Sequence, residues 1–279
     1  MSDDATRKRL SFRDLVVKVW RESVEDEVFA RAAELSYYFL LALFPLLIFL
    51  TSVIGFLPGA RDSLLNGVAR VAPPDALKLV RDTLDDVVSH RSGGLLSLGL
   101  IASIWAASSG VASLMSALNT AYEVKETRPL WKRRLVAIGL TIAMGVLVIG
   151  GSLLIMLGHR LGNWLERTLE ISAAVAFLST LLGILVGFLL LLGGIALLYY
   201  FGPNVKRAAR PVKPGALFAS TGIVIGSLLF SFYLRVAPSA SATYGSLGAV
   251  VTLMLWLYLM GLMLLIGGEI NSEWKASEE

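Results

Sequence analysis

The chain has 279 residues, of which 56% are hydrophobic and only 16% charged, with a formal net charge of +4. Soluble domains carry about 25% charged residues and about 45–50% apolar ones, so this composition excludes a soluble globule and a disordered polymer alike. There is no cysteine and there are only two histidines, His90 and His159, which excludes disulfide scaffolds, cysteine-held zinc or iron–sulfur centres, thiol nucleophiles and histidine-rich metal cages.

Residues 1–33 form a charged N-terminal segment. Within residues 10–33, Phe12, Val16, Val19/Trp20, Val24 and Val28 recur at helical spacing among mixed charges. This predicts an amphipathic helix lying at the cytoplasmic membrane interface. The first apolar run follows this long charged segment and exceeds the ~7–15 residues of a signal-peptide core, so it reads as a permanent anchor.

A bilayer core needs about 20 apolar residues in a helix. Six segments meet that length: 34–57, 95–118, 135–158, 172–201, 215–237 and 246–270. Each is helical, because lipid offers unpaired backbone groups no partner, and no period-two pattern supports a barrel. Between spans one and two lies an outer loop, residues 58–94. There Leu64, Leu65, Val68 and Val71 suggest one short helix. After Pro73 and Pro74, the residues Leu77, Val80, Leu84 and Val87/Val88 share the face of a second, so the loop reads as an outer helical hairpin. Asp75, Asp82, Asp85 and Asp86 then form a solvated face, without the spacing of a calcium loop. The fold class is all-α: a polytopic membrane protein with one six-helix domain over residues 34–271 and a short tail, 272–279.

Lys and Arg orient the chain. Arg7, Lys8, Arg9, Arg13, Lys18, Arg21 and Arg31 precede span one. Lys125, Arg128, Lys132, Arg133 and Arg134 lie between spans two and three, Lys206, Arg207, Arg210 and Lys213 between spans four and five, and Lys275 in the tail. These are seventeen of the 25 Lys and Arg. By the positive-inside rule both termini are cytoplasmic. The basic balance thus reflects topology, and no basic face of a soluble module points to nucleic acid.

Small residues recur along three spans. Gly99, Ser103, Ala106, Gly110, Ser113 and Ala117 step by four and three in span two, as do Gly215, Ala219, Gly222 and Gly226 in span five, and Gly183, Gly187 and Gly194 step by four and seven in span four. Such stripes let helices approach closely. A second reading is a narrow polar path lined by Ser103, Ser108, Ser109 and Ser113. Pro45 interrupts the hydrogen bonding of span one and frees the Leu41 carbonyl, which predicts a kink. Glu34, Arg235 and Glu269 are boundary charges of spans one, five and six. A structural ion pair is the favoured expectation, with Arg207, Arg210 or Arg134 as partner for Glu269. No GxSxG, Walker loop, HExxH or EF-hand loop occurs. His90 and His159 fall on outer loops and read as plain surface residues.

Several ordered motifs resemble the YihY/BrkB family of inner-membrane proteins. They are Ala32-Ala33-Glu34-Leu35-Ser36-Tyr37-Tyr38 leading to Phe44-Pro45-Leu46, then Leu118-Asn119 with Tyr122, and Arg128-Pro129 before a basic cluster. Tyr199 and Pro203, Pro214-Gly215-Ala216, Tyr244-Gly245-Ser246-Leu247, Trp256-Leu257-Tyr258 and Gly267-Gly268-Glu269-Ile270-Asn271 follow. The resemblance covers about residues 25–272 and implies six transmembrane helices with both ends inside. It also brings two historical labels, ribonuclease BN and virulence factor. The first implies a hydrolytic site whose residues are missing here, so no enzyme activity is expected.

The candidate mechanistic residues are Pro45, Glu269, Glu34, Arg235, Ser109 and the motif residues Tyr37 and Tyr244. The leading expectation is a transporter-like protein handling a small or amphiphilic, lipid-like substrate. The alternative is a membrane scaffold or envelope assembly and virulence factor. Expected partners are the lipid bilayer and an unknown small-molecule or lipid-like substrate, with no nucleic acid, no metal and no cofactor, and a homo-oligomer is compatible with the pattern.

Overall fold

The computed structural model describes residues 12–56, 93–169, 172–205, 212–236 and 246–276. All regular structure among the described residues is α-helical: α1 (Phe12–Glu25), α2 (Val28–Phe56), α3 (Gly93–Ala121), α4 (Leu130–Leu169), α5 (Ser172–Phe201), α6 (Lys213–Val236) and α7 (Ser246–Ala276). Among the described residues three stretches are long and apolar enough to cross a membrane, namely Leu181–Phe201, Lys213–Leu234 and Val250–Trp274. Their outward side chains are apolar: Leu182, Ile184, Leu228, Phe232 and Val251 are all more than half exposed. In water such a surface would be an aggregation liability; against lipid tails it is the expected exterior. The outer hairpin expected over residues 58–94 lies outside the described residues, except for its last two, which open α3.

The helix boundaries correct the sequence reading in three places. The helix expected over residues 10–33 is two helices. Asp26 N–H donates to Glu22 O at 2.8 Å and Glu27 N–H to Val24 O at 3.2 Å. Glu27 then takes a left-handed φ of 54°, which ends α1, and residues from Val28 onward begin α2. Second, α4 runs for 40 residues, about 60 Å at 1.5 Å per residue. That is twice a bilayer core of about 30 Å, so the helix outruns the expected end at residue 158. Third, His159 is therefore helical rather than part of a loop. At the end of α3, Glu123 N–H donates to Thr120 O and Val124 N–H to Asn119 O, with Glu123 at φ 51°. This pair of bonds around a left-handed residue is a Schellman cap, which satisfies carbonyls that the last turn leaves orphaned.

The chain divides into two units. The first comprises Met1–Val28, Met115–Ile223 and Met263–Glu279. In it α4 and α5 pack antiparallel: Gly151 lies against Leu190 and Gly194 against Leu147. Its buried side chains include Met115, Leu118, Leu198, Tyr199 and Leu265. The second comprises Phe29–Leu114 and Val224–Leu262. There Gly110 lies against the Phe39 ring and Gly261 against the backbone of Ala32, while Ala32 and Leu35 are fully buried. Trp256 Nε1–H donates to Ser227 Oγ at 3.3 Å. Small residues thus serve close helix packing, which is how membrane helices gain dispersion contact without a solvent-driven hydrophobic effect.

Candidate functional site

Within the first unit, the C-terminal part of α7 gathers most of the buried polar chemistry. The glycines Gly267 and Gly268 remove side-chain bulk there. A Cβ on Gly267 would strike the Tyr199 hydroxyl, and one on Gly215 would strike the Gly267 carbonyl. Backbones of α6 and α7 therefore nearly touch. Tyr199 O–H donates to Leu264 O at 2.6 Å, tying α5 to α7. Gly215 sits in the first turn of α6, where helix N–H groups lack partners. Asn271 Oδ1 accepts that N–H at 2.8 Å, so a side chain of α7 caps α6.

Between Gly267 and Asn271 in the sequence of α7 sits Glu269, 1% exposed. Among the described residues, the titratable groups acting on it are acidic: Glu22 of α1, Asp26 just past its end, and Glu273 of α7. Glu269 Oε1 has no hydrogen-bond partner among the described residues. Lys18 Nζ contacts Glu273 Oε2 at 2.5 Å, and Arg21 pairs with Glu22 at 3.2 Å and Glu25 at 3.7 Å. These contacts lay α1 antiparallel along the end of α7. The helix has three sides. Val19, Glu22, Ser23 and Asp26 form the packed side, Asp14, Arg21 and Glu25 a charged side, and Val16, Val17, Trp20 and Val24 an apolar side left exposed.

A second polar cluster closes the loop between α3 and α4. Arg128 Nε and Nη2 grip Glu126 Oε1 and Oε2, each at 2.7 Å, and the Arg128 N–H adds a third bond at 3.0 Å. Asn119 Nδ2 donates to the same carboxylate at 3.0 Å. The Arg128 side-chain hydrogen bonds hold the Glu126 carboxyl down to about 2, against an ordinary 4.5, although partial burial works the other way. Arg128 Nη2 also donates to Gly202 O at 2.8 Å, and Asn204 N–H to Asn119 Oδ1 at 2.7 Å. The cluster pins the end of α5 to the α3–α4 loop and leaves no group poised for chemistry.

The residues singled out from sequence are not gathered into one site. Glu269 is buried as described, but the groups facing it are acids rather than a cation; Arg207 and Arg210 lie outside the described residues, and Arg134 is not among the groups facing it. Glu34, in the second unit, is exposed and accepts the Ser113 hydroxyl at 2.9 Å. Ser108 and Ser109 each donate to the Trp105 carbonyl of their own helix at 2.9 Å. Pro45 lies inside α2, which continues through it; its side chain and that of Arg235 are outside the described residues, as is Tyr244. Tyr37 is 53% exposed and stacks edge-on with Tyr38. Sequence reasoning missed Glu22, Asp26 and Glu273. Their signal was two acid pairs at i,i+4, Glu22/Asp26 and Glu269/Glu273, a spacing that repels on an isolated helix and so calls for a partner.

The family model described as virulence factor BrkB matches residues 19–279. The chain is 41% identical over 245 residues to YfkH of Bacillus subtilis (strain 168), a protein named ribonuclease-like, covering 87% of this chain and 88% of that one. It is 32% identical over 186 residues to a UPF0761 membrane protein of Ralstonia nicotianae, covering 65% of this chain and 40% of the relative. A UPF0761 membrane protein of Tolumonas auensis is 27% identical over 263 residues, covering 92% and 84%. No solved structure matches the chain. An all-helical chain with apolar outward faces, matched from residue 19 to its end, belongs to the BrkB family of membrane proteins.

Proposed function

We propose that this protein is a six-span, transporter-like protein of the bacterial inner membrane, with both termini cytoplasmic, that moves a small or amphiphilic, lipid-like substrate. The observation that carries this reading is Glu269: a carboxyl 1% exposed in an apolar helix, with no ion pair among the described residues. A structural role would have given it a cation or a full set of donors. Ionisable residues inside membrane helices without such partners mark substrate or ion pathways by default. Gly215 of α6 and Gly267, near Glu269 in α7, bring the α6 and α7 backbones into close contact. The basic inner loops support the orientation. The exposed apolar side of α1 supports an interfacial position for that helix.

We read the protein as a transporter rather than an enzyme. The ribonuclease-like name is the relative's. Among the described residues no three Asp, Glu or His side chains are placed to hold a metal ion together. Purified protein incubated with RNA and divalent metal should leave the RNA intact; cleavage lost in Glu269→Gln would reverse this reading.

The deciding experiment is lipid and metabolite profiling of a deletion strain carrying wild-type protein or Glu269→Gln, with each membrane analysed separately. The expected result is one compound that accumulates on one side in the deletion, returns to normal with wild type and stays high with Glu269→Gln. A variant present at wild-type level that restores the normal profile overturns the role of Glu269.

A further inference from the structure

Charged side chains on membrane helices ordinarily face the bundle interior or a water-filled cavity and pair there. Glu34 is placed differently. It is exposed on α2, and the hydrogen bond it accepts from Ser113 Oγ of α3, at 2.9 Å, comes from a neutral hydroxyl. Among the described residues no cation forms an ion pair with it. An ionised carboxylate has about four acceptor positions on its two oxygens, so one hydroxyl orients Glu34 without satisfying it.

The helix lengths set its depth. Both α2 and α3 have 29 residues, about 44 Å at 1.5 Å per residue. That is the thickness of a bilayer with its headgroups, about 40–45 Å. Glu34 lies about 9 Å from the start of α2 and Ser113 about 12 Å from the end of α3. The headgroup layer on each side of the hydrocarbon core is about 5–8 Å deep, so the carboxylate sits where headgroups meet acyl chains. The charged groups met at that depth are those of lipids, and a carboxylate repels a phosphate and attracts an ammonium.

The side chains around Glu34 follow the order of an amphiphile, and all belong to the second unit. Tyr37, three residues on and so a neighbour on the helix surface, is 53% exposed, and its ring meets that of Tyr38 edge-on at 6.0 Å. An exposed ring beside a carboxylate suits a cation, which the negative face of the ring attracts. Gly110 of α3 lies against the Phe39 ring and the Tyr38 Cβ, so the two helices are in close contact there. Toward the middle of the bilayer, Leu41, Trp105 and Ile101 are exposed. Positions 35–56 and 93–112 carry no charged residue. The surface thus has one polar end and one long apolar end.

We propose that Glu34, Ser113 and Tyr37 bind the ammonium headgroup of phosphatidylethanolamine, with the acyl chains laid along Leu41, Trp105 and Ile101. An unmethylated ammonium brings N–H donors to the open carboxylate positions, and a quaternary one brings none. The inference deepens the transport reading by naming the substrate class, and rests on its six-span topology for the depth of Glu34.

The test is native mass spectrometry of the full chain with added phosphatidylethanolamine, phosphatidylcholine or phosphatidylglycerol of identical acyl chains. Wild type should hold phosphatidylethanolamine about tenfold more tightly than phosphatidylcholine, the effect of one charge-assisted hydrogen bond. Glu34→Gln should lose that preference and bind phosphatidylcholine as before, whereas Glu25→Gln, an exposed acid on α1, should keep it. Wild-type protein that holds phosphatidylethanolamine and phosphatidylcholine equally overturns the proposal, a result that needs no variant. A folded Glu34→Gln that keeps the preference overturns it too, as does a wild-type preference for phosphatidylglycerol over phosphatidylethanolamine. A dimer that excludes lipid and separates in Glu34→Gln assigns the surface to a second copy and also overturns it. The measurement requires no transport. A headgroup preference in a protein whose deletion strain accumulates no compound leaves the lipid site standing and removes transport. Transport blocked by Glu269→Gln, in a protein without headgroup preference, does the reverse.

Discussion

Arg128 holds Glu126 in a two-pronged grip, Nε to Oε1 and Nη2 to Oε2 at 2.7 Å each, and carries the Gly202 carbonyl on the same guanidinium. Paired charges in this fork geometry are the strong class of hydrogen bond. Arg128→Ala leaves a half-buried carboxylate and a carbonyl without donors, and should destabilise the folded protein by about 1–3 kcal/mol in thermal unfolding. Arg128→Lys should recover only part, because an ammonium cannot span both oxygens.

The same grip sets an acid dependence. The folded-state carboxyl of Glu126 sits at about 2, below its ordinary 4.5. Its contribution is therefore complete above about pH 4.5 and is lost as pH falls toward about 2. Wild-type unfolding temperature should drop across that window, and Glu126→Gln should be less stable at neutral pH but flatter in acid. Parallel acid profiles for the two proteins would contradict the assignment.

Gly215 is the place where a methyl group is least tolerable, since its Cβ would meet the Gly267 backbone carbonyl rather than a flexible side chain. Gly215→Ala should cost about 1–3 kcal/mol through forced helix displacement. Gly139→Ala, with open space around it, should be neutral or slightly stabilising through helix propensity. Side-by-side melting of the two variants checks this.

Much of this architecture is legible in the sequence, and the reasons are local. Apolar runs locate helices because lipid demands both length and apolarity, so α5, α6 and α7 begin within two residues of the expected spans. The ordered motifs also carry more than identity: Asn119, Arg128 and Pro203 converge on one polar cluster, and Tyr199, Gly215, Gly267 and Asn271 on one helix crossing. What could not be read is pairing at a distance. Nothing near Glu269 in sequence announces the acids near the end of α1, since they are more than 240 residues away in the chain.

Glu123 occupies the left-handed position of the α3 cap, at φ 51° and exposed to solvent. A side chain there costs roughly 1 kcal/mol that glycine does not incur. Glu123→Gly should raise stability by about 0.5–1 kcal/mol, and Glu123→Val, branched at Cβ, should lower it. Opposite signs in one unfolding series are the expected result.

The three-sided pattern of α1 makes a spatial prediction. Val16, Val17, Trp20 and Val24 are each more than half exposed although the helix is packed through Val19 and Ser23. An apolar side flanked by a charged one is stable in water only at some cost, and is satisfied when the helix lies at the boundary of headgroups and acyl chains. Tryptophan favours that depth. The chain has no cysteine, so single-cysteine spin labels carry no background. A label at Val17→Cys should be relaxed by oxygen, which partitions into lipid. One at Asp14→Cys, on the charged side, should be relaxed by a water-soluble nickel chelate. Equal relaxation of both sites by the chelate would place α1 in water and remove the interfacial helix. A protein partner covering the apolar side would instead shield Val17→Cys from both reagents.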